Sequence, residues 1–100
     1  MDIKLNTVHF DADQKLIDFT KKRVTKLEQF FDGIIASEVY LAFDKSRAKK
    51  TDNKEAKIKL EIPGNDLFAE KKEKTFEEAI DNTVKALETQ LKKHKEKIRK

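Results

Sequence analysis

The stretch TFEEAIDNTVKALETQLKKHKEKI, residues 75–98, is the longest periodic segment of the chain and decides its architecture. Phe76, Ile80, Val84, Leu87, Leu91, His94 and Ile98 recur at three- and four-residue intervals, with Ala79 and Thr83 beside them. That spacing lays one apolar stripe along one face of an α-helix. Thr75 followed by Glu78 reads as a capping box, and Glu77, Glu78 and Asp81 put negative charge at the positive end of the helix dipole. Such a helix is about 36 Å long, about twice the 17–20 Å of a typical strand, so its far end is expected to overhang a sheet. That end is basic: across residues 92–100, Lys92, Lys93, Lys95, Lys97, Arg99 and Lys100 face only Glu96, net +5, against +4 for the whole chain and therefore −1 for residues 1–91. Cation gathered on one projecting element suits a polyanion, because dipole complementation is confined to the last turn.

Composition sets the bounds. One hundred residues, 37% hydrophobic, with two glycines and one proline, fit a single domain with one core, residues 1–100. Charged residues reach 42%, but acids and bases are interleaved and the apolar residues keep clear periods, which argues against disorder. The absence of cysteine excludes disulfides and thiolate metal sites. No apolar run approaches membrane-spanning length, and Met1-Asp2-Ile3-Lys4 opens no signal peptide. A cytoplasmic protein without a membrane partner is expected.

Upstream of the long helix, Ile3 and Leu5 alternate with Lys4 and Asn6, giving a first strand over residues 2–8. Asp11 or Asp13 offers an N-cap for a helix over residues 13–31, with Leu16, Thr20, Val24, Leu27 and Phe31 on one face and Gly33 as its stop. Residues 37–44 and 54–62 alternate as strands around a polar loop that holds Lys45, Arg47, Lys49 and Lys50. Pro63-Gly64 fits the centre of a type II turn, and Leu67 and Ala69 begin a short fourth strand that fades into Glu70-Lys71-Lys72-Glu73. The expected fold is α+β, in the order β-α-β-β-β-α: the first two strands parallel, the rest an antiparallel meander, and both helices on one face of a four-stranded sheet. Double-stranded-RNA-binding domains have a comparable layout. The opposite face should present Lys4, Asn6, Tyr40, Lys57 and Lys59 to water.

On the first helix Lys15, Lys22, Arg23 and Lys26 share one flank. Arg23 falls inside the edge of the apolar arc, near Phe19, Leu27 and Phe30, which places it at a seam between the helices. Two roles stay open for it: a packing arginine paired with a carboxylate, or a phosphate contact.

Signs of catalysis are missing. Gly33 and Gly64 are isolated, no Ser occupies a nucleophile motif, and neither His9 nor His94 has a partner at metal-ligand spacing. No enzyme activity, small-molecule substrate or cofactor is expected. Nothing matches a sequence-specific DNA-binding motif, and Tyr40 is the lone candidate for a base-stacking aromatic on the open sheet face. What remains is recognition of shape and phosphate by basic helices.

Lys26-Leu27-Glu28-Gln29-Phe30-Phe31-Asp32 in the first helix, with Ala79-Ile80-Asp81, Leu87, Gln90-Leu91, Lys93-His94-Lys95 and Lys97 in the second, resemble the bacterial ribosome hibernation-promoting factors and ribosome-associated inhibitors. The resemblance spans essentially the whole chain and implies the same element order. It further implies binding to the small ribosomal subunit and its rRNA in the channel that messenger and transfer RNA use, which holds idle ribosomes inactive. On this basis Arg23, Lys26, Lys93, Lys95 and Lys97 match basic positions of the family and would contact phosphates. Charge geometry alone adds Lys22, Lys85, Lys92, Arg99 and Lys100. The chain departs from the family pattern at Thr7, at Lys74-Thr75-Phe76, at Lys85-Ala86 and at Thr89, so contacts in the middle of the second helix are the ones put in question. Ending at Lys100, it looks like a short form, without the dimerisation domain of the long one. A protein-interaction module using Ile98 in the basic tip, or a general RNA-binding chaperone, are the alternative readings.

Overall fold

A computed structural model describes residues 1–47 and 52–98. Six main elements follow in the expected order: β1 (Asp2–Val8), α1 (Gln14–Thr25), β2 (Ala36–Phe43), β3 (Lys54–Ile62), β4 (Asn65–Glu73) and α2 (Phe76–Ile98). The sheet order is β1-β2-β3-β4, with β1 parallel to β2 and the other two pairs antiparallel. Strand alternation sends Val39, Leu41, Ala56, Ile58, Leu60, Leu67 and Ala69 to the helical side, where they meet Val24, Leu27, Ile80, Leu87 and Leu91 in the core. A buried hydroxyl joins the layers. Thr83 donates to the Ala79 carbonyl at 2.7 Å, with the Ala56 carbonyl of β3 at 3.4 Å, so the group is satisfied inside the core.

Both helix starts are capped as their sequences predict. The Asp13 carboxylate accepts from the Leu16 N–H at 2.9 Å, and the Thr75 hydroxyl accepts from the Glu78 N–H at 3.1 Å. Four contacts order the helical layer. Phe10, before α1, stacks on Phe76 at 4.3 Å; Arg23 reaches Asp81; Phe30 lies against Lys92; Phe31 meets His94 edge-on at 5.3 Å. The partners advance together along both segments, so the two helices run in the same direction and their basic ends gather at one end of the molecule. His9, with φ of 67°, makes the sharp turn after β1 that delivers Phe10 to Phe76.

Three local expectations are corrected. Helix α1 stops at Thr25 and tightens into a 3-10 turn, Lys26–Gln29, instead of running on to Phe31. Three residues per turn align Leu27 with Phe30, whose N–H donates to the Leu27 carbonyl at 3.0 Å, and both Phe30 and Phe31 pack against the core. Gly33 is not a left-handed cap, since Gly64 alone among the glycines has positive φ. A side chain at Gly33 would sit 2.7 Å from the tip of the Phe31 ring, so glycine there lets that ring lie where it does. Strand β4 does not fade: it pairs with β3 through to Lys54↔Glu73. Asp66, Glu70 and Lys72 are held by partners on β3, which propensity cannot register. At the β3–β4 turn, the φ of 78° at Gly64 after Pro63 is what a type II turn demands.

At the far end of β2, Asp44 accepts from the Ser46 hydroxyl at 2.6 Å and pairs with Lys72 at 3.0 Å. The Ser46 hydrogen bond, followed by Lys72, lowers its carboxyl from the usual 3.8 to about 2. A carboxyl depressed by folding stabilises the fold above its unfolded value, and that contribution is lost as pH falls through about 4 to about 2. Asp44→Asn should therefore cost stability at neutral pH, with the gap from the parent closing across that window in thermal melts. A gap independent of pH would remove Asp44 from the acid transition.

Candidate nucleic-acid interface

The two faces of the sheet layer treat their lysines differently. On the open face, strand register brings Lys4 opposite Glu38, Lys57 opposite Glu70, and Lys72 opposite Glu55. Ion pairs follow: Lys4–Glu38 at 3.9 Å, Lys57–Glu55 at 3.6 Å, Lys57–Glu70 at 3.9 Å, Lys59–Asp66 at 3.7 Å and Lys72–Glu55 at 3.6 Å. Every lysine of this face has a carboxylate partner, and Asp2 and Glu61 add further negative charge. Glu38 also hydrogen-bonds Tyr40 and raises its phenol above the usual value. The face carries two aromatics, not one: Phe68 is 51% exposed beside Tyr40 at 38%. Phe68 stands between Leu67 and Ala69, so strand parity already points it outward. Stacking platforms for nucleic acid combine aromatics with a cationic groove, and here the cations are neutralised.

The helical side is the reverse. Lys22, Lys26, Lys85, Lys93, Lys95 and Lys97 are exposed and form no ion pair among the described residues. On α1 and its 3-10 extension, Lys21, Lys22, Thr25, Lys26 and Gln29 line an open hollow of about 380 Å³. Lys92 of α2 lies 5.1 Å from the centre of the Phe30 ring, which brings it to the same seam. Lys95, three residues on, is rotated about 60° further towards α1. Lys92 and Lys95 therefore belong to the α1 flank of α2, with Lys22 and Lys26 on the exposed surface of the first helical segment itself.

Lys93 and Lys97 face the other way, flanking a hollow of about 200 Å³ with Asn65, Leu67, Gln90 and His94, on the side of the β4 strand. Lys85, about 20° around the helix from Lys92, stands on the crest between the flanks and borders a second hollow with Lys71 of β4. The basic end is thus split by the helix itself into an α1 flank and a β4 flank. Burial along α2 ends at Leu91, with His94 half-buried and Lys95–Lys97 exposed. Arg99 and Lys100, and the side chain of Ile98, lie outside the described residues, as do Lys49 and Lys50 of the basic loop.

Arg23 is engaged. Its Nε lies 3.2 Å from the Asp81 Oδ1, and its guanidinium sits 5.0 Å from the centre of the Phe19 ring. Of the two roles left open for it, the packing arginine paired with a carboxylate is the one present in this conformation. Lys71 is the cation that sequence patterning overlooked. It has the inward parity of Leu67 and Ala69, but its place beside α2 depends on β4 continuing to Glu73. Among the described residues no group of three or more histidines or carboxylates could hold a metal ion. No described helix is long and apolar enough to cross a membrane.

Comparison with known proteins adds the lineage. The model of the family described as Sigma 54 modulation protein / S30EA ribosomal protein matches residues 3–99. A Pseudomonas putida protein named ribosome hibernation promoting factor is 30% identical over 97 residues, covering 97% of this chain and 89% of that one. The Escherichia coli protein of the same name is 26% identical over 99 residues, covering 99% and 98%. A Coxiella burnetii structure described as a ribosomal subunit interface protein superposes with a TM-score of 0.82 over 95% of this chain and 98% of that one; at 22% identity it speaks to the fold. With the family model spanning nearly the whole sequence and the same β-α-β-β-β-α layout recurring in the solved relative, the chain belongs to the Sigma 54 modulation protein / S30EA ribosomal protein family.

Proposed function

We propose that this protein is a ribosome hibernation factor. It binds the small ribosomal subunit through rRNA phosphates at the channel for messenger and transfer RNA, and so inhibits translation in idle cells. Residues 1–100 act in the cytoplasm as one ribosome-binding domain, with no catalytic step and no cofactor. The observation that carries the reading is the partition of charge: lysines on the open face of the sheet are paired, while Lys22, Lys26, Lys85, Lys92, Lys93, Lys95 and Lys97 on the helical side form no ion pair among the described residues and are left to an external anion. A free ammonium contributes to phosphate binding by releasing counterions, which an internally paired one does far less. The names of the relatives supply the ribosome as the source of that phosphate. Lys22, Lys26, Lys85, Lys92, Lys93, Lys95 and Lys97 are the proposed contacts, with Arg99 and Lys100 beyond them. Arg23 serves mainly to hold the helices together.

Co-sedimentation with isolated small and large subunits at low and moderate salt tests this, with messenger and transfer RNA as competitors. Selective binding to the small subunit, displaced by those ligands, is expected. Equal binding to any structured RNA would instead identify a general RNA chaperone. An association that survives nuclease digestion of an extract would identify a protein partner.

A further inference from the structure

The β4 flank of α2 has features that the α1 flank lacks. Two hollows follow one another along it. The first, about 360 Å³, lies between Lys71 and Glu73 of β4 and Asn82, Lys85 and Thr89 of α2. The second lies between Asn65 and Leu67 of β4 and Lys93 and Lys97 of α2. They are two hollows in line along the groove between α2 and β4, residues 82–89 and 71–73 lining one and residues 90–97 and 65–67 the other, with the Gln90 amide bridging helix to strand between them. Four lysines line the groove, none in an ion pair among the described residues. Its one lining acid, Glu73, is engaged by the Asn82 amide at 3.2 Å.

The floor adds backbone donors. β4 is the last strand of the sheet, with one edge unpaired. Gln90 donates its amide to the Phe68 carbonyl at 2.9 Å, so the main-chain groups of Phe68 point out along that edge. By the two-residue period of a strand, the N–H groups of Asp66, Glu70 and Lys72 point the same way. The side chains of Asp66 and Glu70 are turned to the open face and held by Lys59 and Lys57. Each of these residues also turns its C=O outward, so the edge alternates donors with acceptors and the positive field along it comes from the free ammoniums; nine strand residues extend it over about 30 Å. A stacked strand rising about 3.4 Å per nucleotide would lay about eight phosphates along it.

We propose that the groove between α2 and the free edge of β4 binds the sugar–phosphate backbone of a single RNA strand, separately from the basic seam between α1 and α2. This rests on the ribosome-binding reading and deepens it: α2 stands between two RNA segments, and Lys71 with the β4 edge joins the interface.

The probe is a fluorescein-labelled ten-residue oligoadenylate, with affinity followed by anisotropy across a salt series from about 50 to 200 mM. The parent is compared with a Lys71→Gln, Lys93→Gln double variant and with Lys4→Gln on the opposite face. The double variant should lower the slope of log K against log salt by about 1.4, at about 0.7 per single-strand phosphate contact, while Lys4→Gln leaves it in place. Titration followed by amide NMR should shift Phe68, Glu70 and Lys72. Equal slopes for parent and double variant, an equal drop for Lys4→Gln, amide shifts confined to the α1 seam, or no binding at low salt would each overturn the groove. Co-sedimentation of the parent with the small subunit is scored separately. If it persists while the slopes are equal, the groove falls and the ribosomal reading stands; if it fails while oligoadenylate binds as expected, the groove stands and its ribosomal target falls.

Discussion

Replacing Lys93, Lys95 and Lys97 together with glutamine should lower the affinity for the small ribosomal subunit by about 10²-fold near 0.1 M salt. The slope of log K against log salt should fall by about 2–3, at 0.7–0.9 per lost phosphate contact. The effect is large because all three ammoniums are solvent-facing and form no ion pair among the described residues, so each can displace a counterion from RNA. Folding should be unaffected, since exposed substitutions of this kind usually change stability by less than about 0.5 kcal/mol. The two flanks divide the loss. Lys93 and Lys97 belong to the β4 side and Lys95 to the α1 side, so the pair should account for about two thirds of the slope change. Filter binding or co-sedimentation at several salt concentrations measures it, and an unchanged slope would remove these residues from the interface.

Truncating Leu87 to alanine acts through the other face of the same helix. Leu87 is fully buried, among the largest wholly enclosed side chains. Its loss should cost about 2–5 kcal/mol through transfer and cavity terms. Against a typical total of 5–15 kcal/mol, that lowers the melting temperature by on the order of 10–30 °C for a domain of this size. The charges stay where they are, so the fraction that remains folded should bind with the parent's salt slope. Calorimetry and the salt series together separate the effects. A melting temperature within a few degrees of the parent would show that the helix–sheet core closes around the gap, and a lowered slope would show that packing and binding are not separable on α2.

Much of the fold is legible in local pattern. The 54–62 alternation matches β3, the 2–8 alternation matches β1, and the stripe with its Thr75 cap matches α2, because burial on one face imposes a period that survives whatever the element packs against. The misses have a common origin. The early end of α1 goes with the 3-10 turn that sets Leu27 in the core and Phe30 against Lys92 of α2. The full length of β4 depends on partners in β3, and the role of Gly33 depends on where the Phe31 ring comes to rest. Each is settled by a residue outside the element in question or by the space around it.

The amino-acid sequence by itself determined the order of the elements, the inward face of each, the concentration of positive charge after Leu91 and the kinship with a ribosome-associated family. The first three are properties of spacing and composition along the chain; the kinship rests on likeness of residues to known proteins. The tertiary structure decided which of those charges are free. Arg23 is held by Asp81 across the helix seam, and the open-face lysines are neutralised by carboxylates that strand register sets opposite or diagonal to them. The lysines of α2 are left unpaired and divided between two flanks. An ammonium's availability depends on what lies within a few ångströms of it, and for a folded chain that neighbour is usually remote in sequence.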